Sequence, residues 1–77
     1  MNQGKKDEKV IFVNKNQIRV SEDELTGNQI LQKAGISQEY DLFLVRGQES
    51  QKIEPDETVN IKNGLHFRVI IKVVPFG

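Results

Sequence analysis

Short apolar runs separated by polar turns set the pattern of this chain, and the longest β-favouring run lies at its end, residues 65–77, LHFRVIIKVVPFG. Rich in Val, Ile and Phe and opening straight after the turn dipeptide Asn63-Gly64, it predicts a central strand. The ladder cannot run to the last residue, because Pro75 has no amide to donate and biases Val74 toward an extended conformation. A short extended tail ending in glycine is expected beyond it. Nearer the start, VIFV (10–13) and QIRV (17–20) flank Asn14-Lys15-Asn16. Two strands around a turn whose asparagines tolerate positive φ predict a β-hairpin. Ile18 and Val20 alternate with Gln17 and Arg19, so one face is apolar and the other wet.

Residues 21–25 are acidic and unpatterned. Thr26-Gly27-Asn28-Gln29 then fits a capping box and predicts a helix of about eight residues. Ile30, Leu31 and Ala34 form its inward stripe, Gly35 occupies the left-handed C-terminal position, and Ile36 is placed to fold back onto the helix. LFLVR (42–46) is the next strand, ended by Gly47. Residues 48–51 read as a turn and Lys52-Ile53 as a very short strand before Pro55. Residues 54–63 read as a long polar connection from which Val59 and Ile61 dip into the core.

The order strand, strand, helix, strand, short strand, long strand makes the fold class α+β: a mixed four- to five-stranded sheet packed on one short helix. A right-handed crossover through the helix would put later strands parallel to the first. This arrangement is the β-grasp. It divides the chain into a charged leader (1–9), a folded domain (10–72) and a tail (73–77).

Composition narrows the chemistry. Seventy-seven residues make one domain, which buries roughly 60% of its unfolded surface. There is no cysteine, so no disulfide or thiol nucleophile. Eleven basic residues balance eleven acidic ones without a basic stripe, which argues against nucleic-acid binding. The apolar run at residues 69–74 is interrupted by Lys72 and too short to span a membrane, and the leader lacks the apolar core of a secretory signal. A cytoplasmic monomer is the expectation. His66 is the only histidine, so neither a metal site nor a cofactor site is expected. The acidic pairs Asp23-Glu24 and Asp56-Glu57 read as solvated loop charges, Asp56 capping a turn, and no catalytic residue is assigned. If Leu42, Leu44, Phe67 and Val69 face the helix, strand alternation puts Phe43, His66, Arg68 and Ile70 on the open face as a partner patch. The competing reading packs Phe43 and Ile70 on each other or on the leader.

The segments FVN (12–14), LTG (25–27), KAGI (33–36), YDLFL (40–44), DETV (56–59) with Ile61, and GLHF (64–67) resemble, in their order and spacing, the bacterial ubiquitin-like proteins of the multiubiquitin type. The resemblance implies a protein modifier rather than an enzyme. A ubiquitin-activating-like enzyme would adenylate the C-terminal carboxylate, and a ubiquitin-conjugating-like enzyme would carry it as a thioester to a covalent target protein. A metalloprotease-like deconjugating enzyme would release it. On this reading Gly77 supplies the conjugated carboxylate, because it has no Cβ to crowd the acyl carbon. Val73, Val74, Pro75 and Phe76 set reach and recognition, with Pro75 reducing the entropy lost when the arm is ordered. The patch around Phe43, His66, Arg68 and Ile70 would be similar to the one ubiquitin uses. Two departures stand out: family members often carry tandem domains where this chain has one, and it ends Pro75-Phe76-Gly77 in place of paired glycines. A chain continuing past Gly77 would need processing first. The alternatives are a sulfur-carrier β-grasp protein with a C-terminal thiocarboxylate, and an interaction domain whose tail is never activated.

Overall fold

In the computed structural model, which describes residues 8–71, the first two apolar runs form β1 (Lys9–Val13) and β2 (Asn16–Val20), paired antiparallel with Val13 opposite Asn16. The turn between them is Asn14-Lys15, and Asn14 takes the positive φ of 56° that asparagine accepts more readily than other side chains. Alternation places Ile11, Val13 and Val20 in the core and Val10, Phe12, Gln17 and Arg19 on the opposite side.

The chain then forms β3 (Glu24–Thr26) and α1 (Gly27–Lys33), whose buried residues include Ile30 and Leu31. Both halves of the capping box are present: the Gln29 amide donates to Thr26 Oγ1 at 3.2 Å, and the Thr26 amide donates to Gln29 Oε1 at 2.8 Å. The next free amides of the first turn are also satisfied, Gly27 N–H by the Glu57 carbonyl at 3.1 Å and Asn28 N–H by the Pro55 carbonyl at 3.0 Å. This close approach explains the glycine, since a Cβ at position 27 would stand 2.5 Å from the Glu54 carbonyl oxygen. At the other end, Ile36 N–H bonds the Leu31 carbonyl at 2.9 Å and Gly35 N–H the Gln32 carbonyl at 3.0 Å, with Gly35 at φ 69°. This is a Schellman ending, and it folds Ile36 back against the core as its position after the glycine predicts. Thr26→Ala removes one half of the capping box. It should cost about 1 kcal/mol, seen as a lower urea midpoint at unchanged slope.

Four strands follow: β4 (Tyr40–Arg46), β5 (Glu49–Ile53), β6 (Thr58–Asn60) and β7 (His66–Ile71). The main sheet is mixed and five-stranded, in the order β2-β1-β7-β4-β5, while β3 and β6 pair as a separate two-stranded sheet with Leu25 opposite Val59. β7 runs parallel to β1 and antiparallel to β4, with Leu44 opposite Phe67 and Leu42 opposite Val69. The core joins Ile30 and Leu31 of the helix to Ile11, Leu44 and Phe67 of the sheet, closed by Val59 and Ile61.

Several expectations need correction. The acidic stretch 21–25 ends in a strand, β3, in which only Leu25 is buried, so three residues carry too little alternation to reveal it. Residues 49–51 belong to β5 and not to a turn. This edge strand exposes every residue except Ile53, which gives it the polarity of a loop. The supposed long connection contains β6, where Val59 is again the single buried residue. Asn16 begins β2 and does not lie in the turn. Finally, of the later strands of the main sheet β5 and β7 run in the direction of β1, but β4, the first after the helix, does not. The crossover through α1 delivers β4 in the direction of β2, hence opposed to β1.

Candidate functional site

β7 can sit at the centre of the sheet because it has apolar residues on both faces: Phe67 and Val69 point to the core, and Ile70 joins His66 and Arg68 on the open side. Its backbone is held along both edges. On the β1 side Gly64 N–H donates to the Val10 carbonyl at 2.7 Å, Phe12 N–H to Leu65 at 2.8 Å and Asn14 N–H to Phe67 at 2.8 Å. Asparagine side chains close the two ends of this parallel ladder. Asn63 Oδ1 accepts from Val10 N–H at 2.8 Å, and Asn14 Oδ1 accepts from Val69 N–H at 2.9 Å where β1 has already turned away. On the other edge β4 pairs with β7 as far as Tyr40 opposite Ile71, the last described residue.

Asn14 therefore serves the turn and the strand together. Asn14→Ala loses the acceptor for the Val69 amide and forces a Cβ-bearing residue without a polar side chain into the left-handed region, for a combined cost of about 2 kcal/mol. The Val69 amide should lose hydrogen-exchange protection more than its neighbours do. Asn14→Gly should recover the backbone part of the stability and leave the Val69 amide exposed to exchange.

The residues expected on the open face are found there. His66 and Arg68 are exposed, Phe43 is half-buried opposite Arg68, and Ile70, opposite Asp41, is 45% exposed. Phe12 was not anticipated: its ring stacks on the His66 imidazole, centroids 4.7 Å apart and planes 10° from parallel. Alternation within β1 already put Phe12 outward, but only the parallel register, with Phe12 opposite His66, brings the rings together. Beside them an open concavity of about 750 Å³ is bounded by the β1–β2 turn, Val45, His66 and Arg68. Gly77 and the residues expected to serve recognition, Val73, Val74, Pro75 and Phe76, lie outside the described residues.

Several charges elsewhere have structural partners. Lys9 pairs with Asp23 at 2.9 Å, while the Asp23 carbonyl accepts from Ile61 N–H at 2.8 Å. Glu57 Oε1 accepts from Glu54 N–H at 3.0 Å, so Glu57, next to the expected Asp56, closes that turn. Lys33 lies 3.0 Å from Glu22, and its hydrogen bond is the main reason that the Glu22 carboxyl is held below the usual carboxylate range. These are solvent-facing pairs of the kind that contribute little. No group of three or more histidine or acidic side chains able to hold a metal ion occurs among the described residues, and no helix there is long and apolar enough to cross a membrane. The arrangement is suited to presenting a strand end and a contact surface.

Comparison with curated proteins and with solved structures gave no match. The multiubiquitin family does match, over residues 10–72, from β1 past the end of β7. Given that span and a five-stranded mixed sheet packed on one short helix, the chain belongs to the multiubiquitin family and is a ubiquitin-like β-grasp domain.

Proposed function

We propose that this domain is a protein modifier of a bacterial ubiquitination-like pathway, joined to targets through the carboxylate of Gly77. The observation that carries the reading is the multiubiquitin match over residues 10–72. The central position of β7, paired on both sides, supports it, because the residues that follow are then attached to an interior strand of the sheet.

In the proposed sequence the Gly77 carboxylate attacks the α-phosphorus of ATP bound to an activating enzyme, and pyrophosphate leaves. A cysteine thiolate of that enzyme displaces AMP to form a thioester, which passes to a cysteine of a conjugating enzyme. An acceptor amine on the target attacks the thioester carbonyl, gives up a proton and expels the thiolate, leaving an amide; a hydroxyl would leave an ester. Hydrolysis by a metalloprotease-like partner would reverse the step. The need for ATP puts the reaction in the cytoplasm, and in a longer precursor a protease would first cut after Gly77. Val73, Val74, Pro75 and Phe76 form the arm read by these partners, and Phe43, His66, Arg68 and Ile70 form a patch for holding them.

The test is incubation of the chain with its activating and conjugating enzymes and ATP, followed by intact mass and a denaturing gel. The modifier reading expects an ATP-dependent covalent adduct. A product in which one oxygen is exchanged for sulfur would replace it with the sulfur carrier. No ATP-dependent change would replace it with a non-covalent interaction domain, the reading that the exposed Ile70 and the Phe12–His66 stack favour.

A further inference from the structure

The turn dipeptide Asn63-Gly64 carries a reactivity that its place in the ladder does not use. When glycine follows asparagine, the glycine nitrogen attacks the side-chain carbonyl carbon more readily than any other residue's does, because no Cβ obstructs the approach. Asn63 is the one asparagine of the chain that precedes glycine; Asn2, Asn14, Asn16, Asn28 and Asn60 precede Gln, Lys, Gln, Gln and Ile. The fold demands this glycine, since position 64 has φ 91°, a region that side chains rarely enter. Both residues are exposed, so water and hydroxide reach them. Yet a single residue holds both reacting groups. The Val10 carbonyl accepts from Gly64 N–H at 2.7 Å, and Val10 N–H donates to Asn63 Oδ1 at 2.8 Å.

We propose that Asn63 is a site of spontaneous modification to isoaspartate, locked by Val10 in the folded chain and released when residues 63 and 64 detach from β1. In the released segment hydroxide removes the Gly64 amide proton, and the nitrogen attacks Asn63 Cγ. The new N–Cγ bond closes a five-membered succinimide, while the side-chain nitrogen leaves as ammonia, taking its third proton from water and regenerating the hydroxide. Water then opens the ring. Cleavage between the Gly64 nitrogen and the old main-chain carbonyl gives isoaspartate, and cleavage at Cγ gives aspartate. Removal of the Gly64 proton is also the first step of base-catalysed hydrogen exchange, so the same opening admits both reactions, and the slow chemistry follows the population of the open form. The donor on Oδ1 polarises the carbonyl, but this gains nothing while the nitrogen keeps its proton in the bond to Val10.

The two products differ in what they do to the sheet. Aspartate keeps an oxygen for Val10 N–H and leaves the main chain unchanged. Isoaspartate routes the main chain through Cβ and Cγ, one bond or about 1.5 Å longer. Gly64 N–H is thereby displaced from the Val10 carbonyl, and the Cγ oxygen that served Val10 N–H becomes part of the main chain. A chain modified while open therefore loses the first rungs of the β1–β7 ladder and does not recover them on closing. No partner, ATP or activated tail enters, so the inference stands apart from the modifier reading.

The test holds the full 77-residue chain at one mildly alkaline pH, folded in buffer and unfolded in guanidinium chloride. Peptide mapping follows conversion of amide to acid at each asparagine, and electron-based fragmentation separates isoaspartate from aspartate. Conversion in the unfolded chain is expected chiefly at residue 63. Folding should slow it roughly tenfold or more, and by at least the factor by which folding slows exchange of the Gly64 amide. Phe67→Ala, which leaves the sheet open more of the time, should convert faster in buffer than the parent, up to the unfolded rate. The purified isoaspartate form should unfold at a lower urea midpoint than Asn63→Asp, which keeps the acceptor and the register. Equal conversion in folded and unfolded chains, faster conversion in the folded one, a slowing smaller than the Gly64 protection, preference for another asparagine, or an isoaspartate form as stable as Asn63→Asp would each overturn the proposal.

Discussion

Phe67→Ala is expected to cost the domain about 3–5 kcal/mol, the range for emptying a fully buried aromatic site. Phe67 is 2% exposed, lies opposite Leu44 on β4 and Val13 on β1, and is the largest of the fully buried side chains. Its removal opens a void where three strands meet. Native chains hold roughly 0.05–0.15 kcal/mol per residue, or about 4–12 kcal/mol for 77 residues, so the loss is a large share of the total. Urea unfolding followed by circular dichroism should show a much lower midpoint or no cooperative transition. Ile70→Ala, on the same strand but facing outward, should stay within about 0.5 kcal/mol of the parent. If the two variants destabilised equally, the assignment of inward and outward faces along β7 would be wrong.

That contrast marks how far the chain could be read without coordinates. Where an element carries its own periodicity or punctuation, the reading and the structure agree. β1, β2, β4 and β7 alternate, and α1 is bracketed by the Thr26–Gln29 box and Gly35. β3, β5 and β6 each bury a single residue, Leu25, Ile53 and Val59, and are strands because of what they pair with. Pairing partners are a tertiary fact that a three-residue window does not contain. The same limit applies to the open face. Alternation was enough to put Phe43, His66, Arg68 and Ile70 outward, but the Phe12–His66 stack depends on a parallel register between residues 54 apart in sequence, as does the concavity beside it. The role proposed for Gly77 rests on the resemblance to the family and not on local physics, since a terminal glycine has no pattern of its own.

Deleting Gly77 is expected to eliminate the ATP-dependent adduct while leaving the fold untouched. The deletion moves the terminal carboxylate back by one residue, about 3.3–3.6 Å along an extended chain. A reacting group displaced by about 1 Å from its attack geometry can already lose about 100-fold in rate. The new terminal residue, Phe76, would also place a Cβ and a ring beside the acyl carbon, where Gly77 leaves the approach open. Gly77→Ala keeps the reach and adds only the Cβ, so it should slow adduct formation without abolishing it. Among the described residues every buried apolar side chain lies between Ile11 and Phe67. Both variants should therefore unfold within about 0.5 kcal/mol of the parent. The reverse pattern holds for Phe67→Ala, which removes conjugation only as far as it removes the folded state, and a ligand or lower temperature that restores folding should restore the adduct. Equal adduct yield from the chain lacking Gly77, read by intact mass, would assign the reacting group elsewhere and take the modifier reading with it.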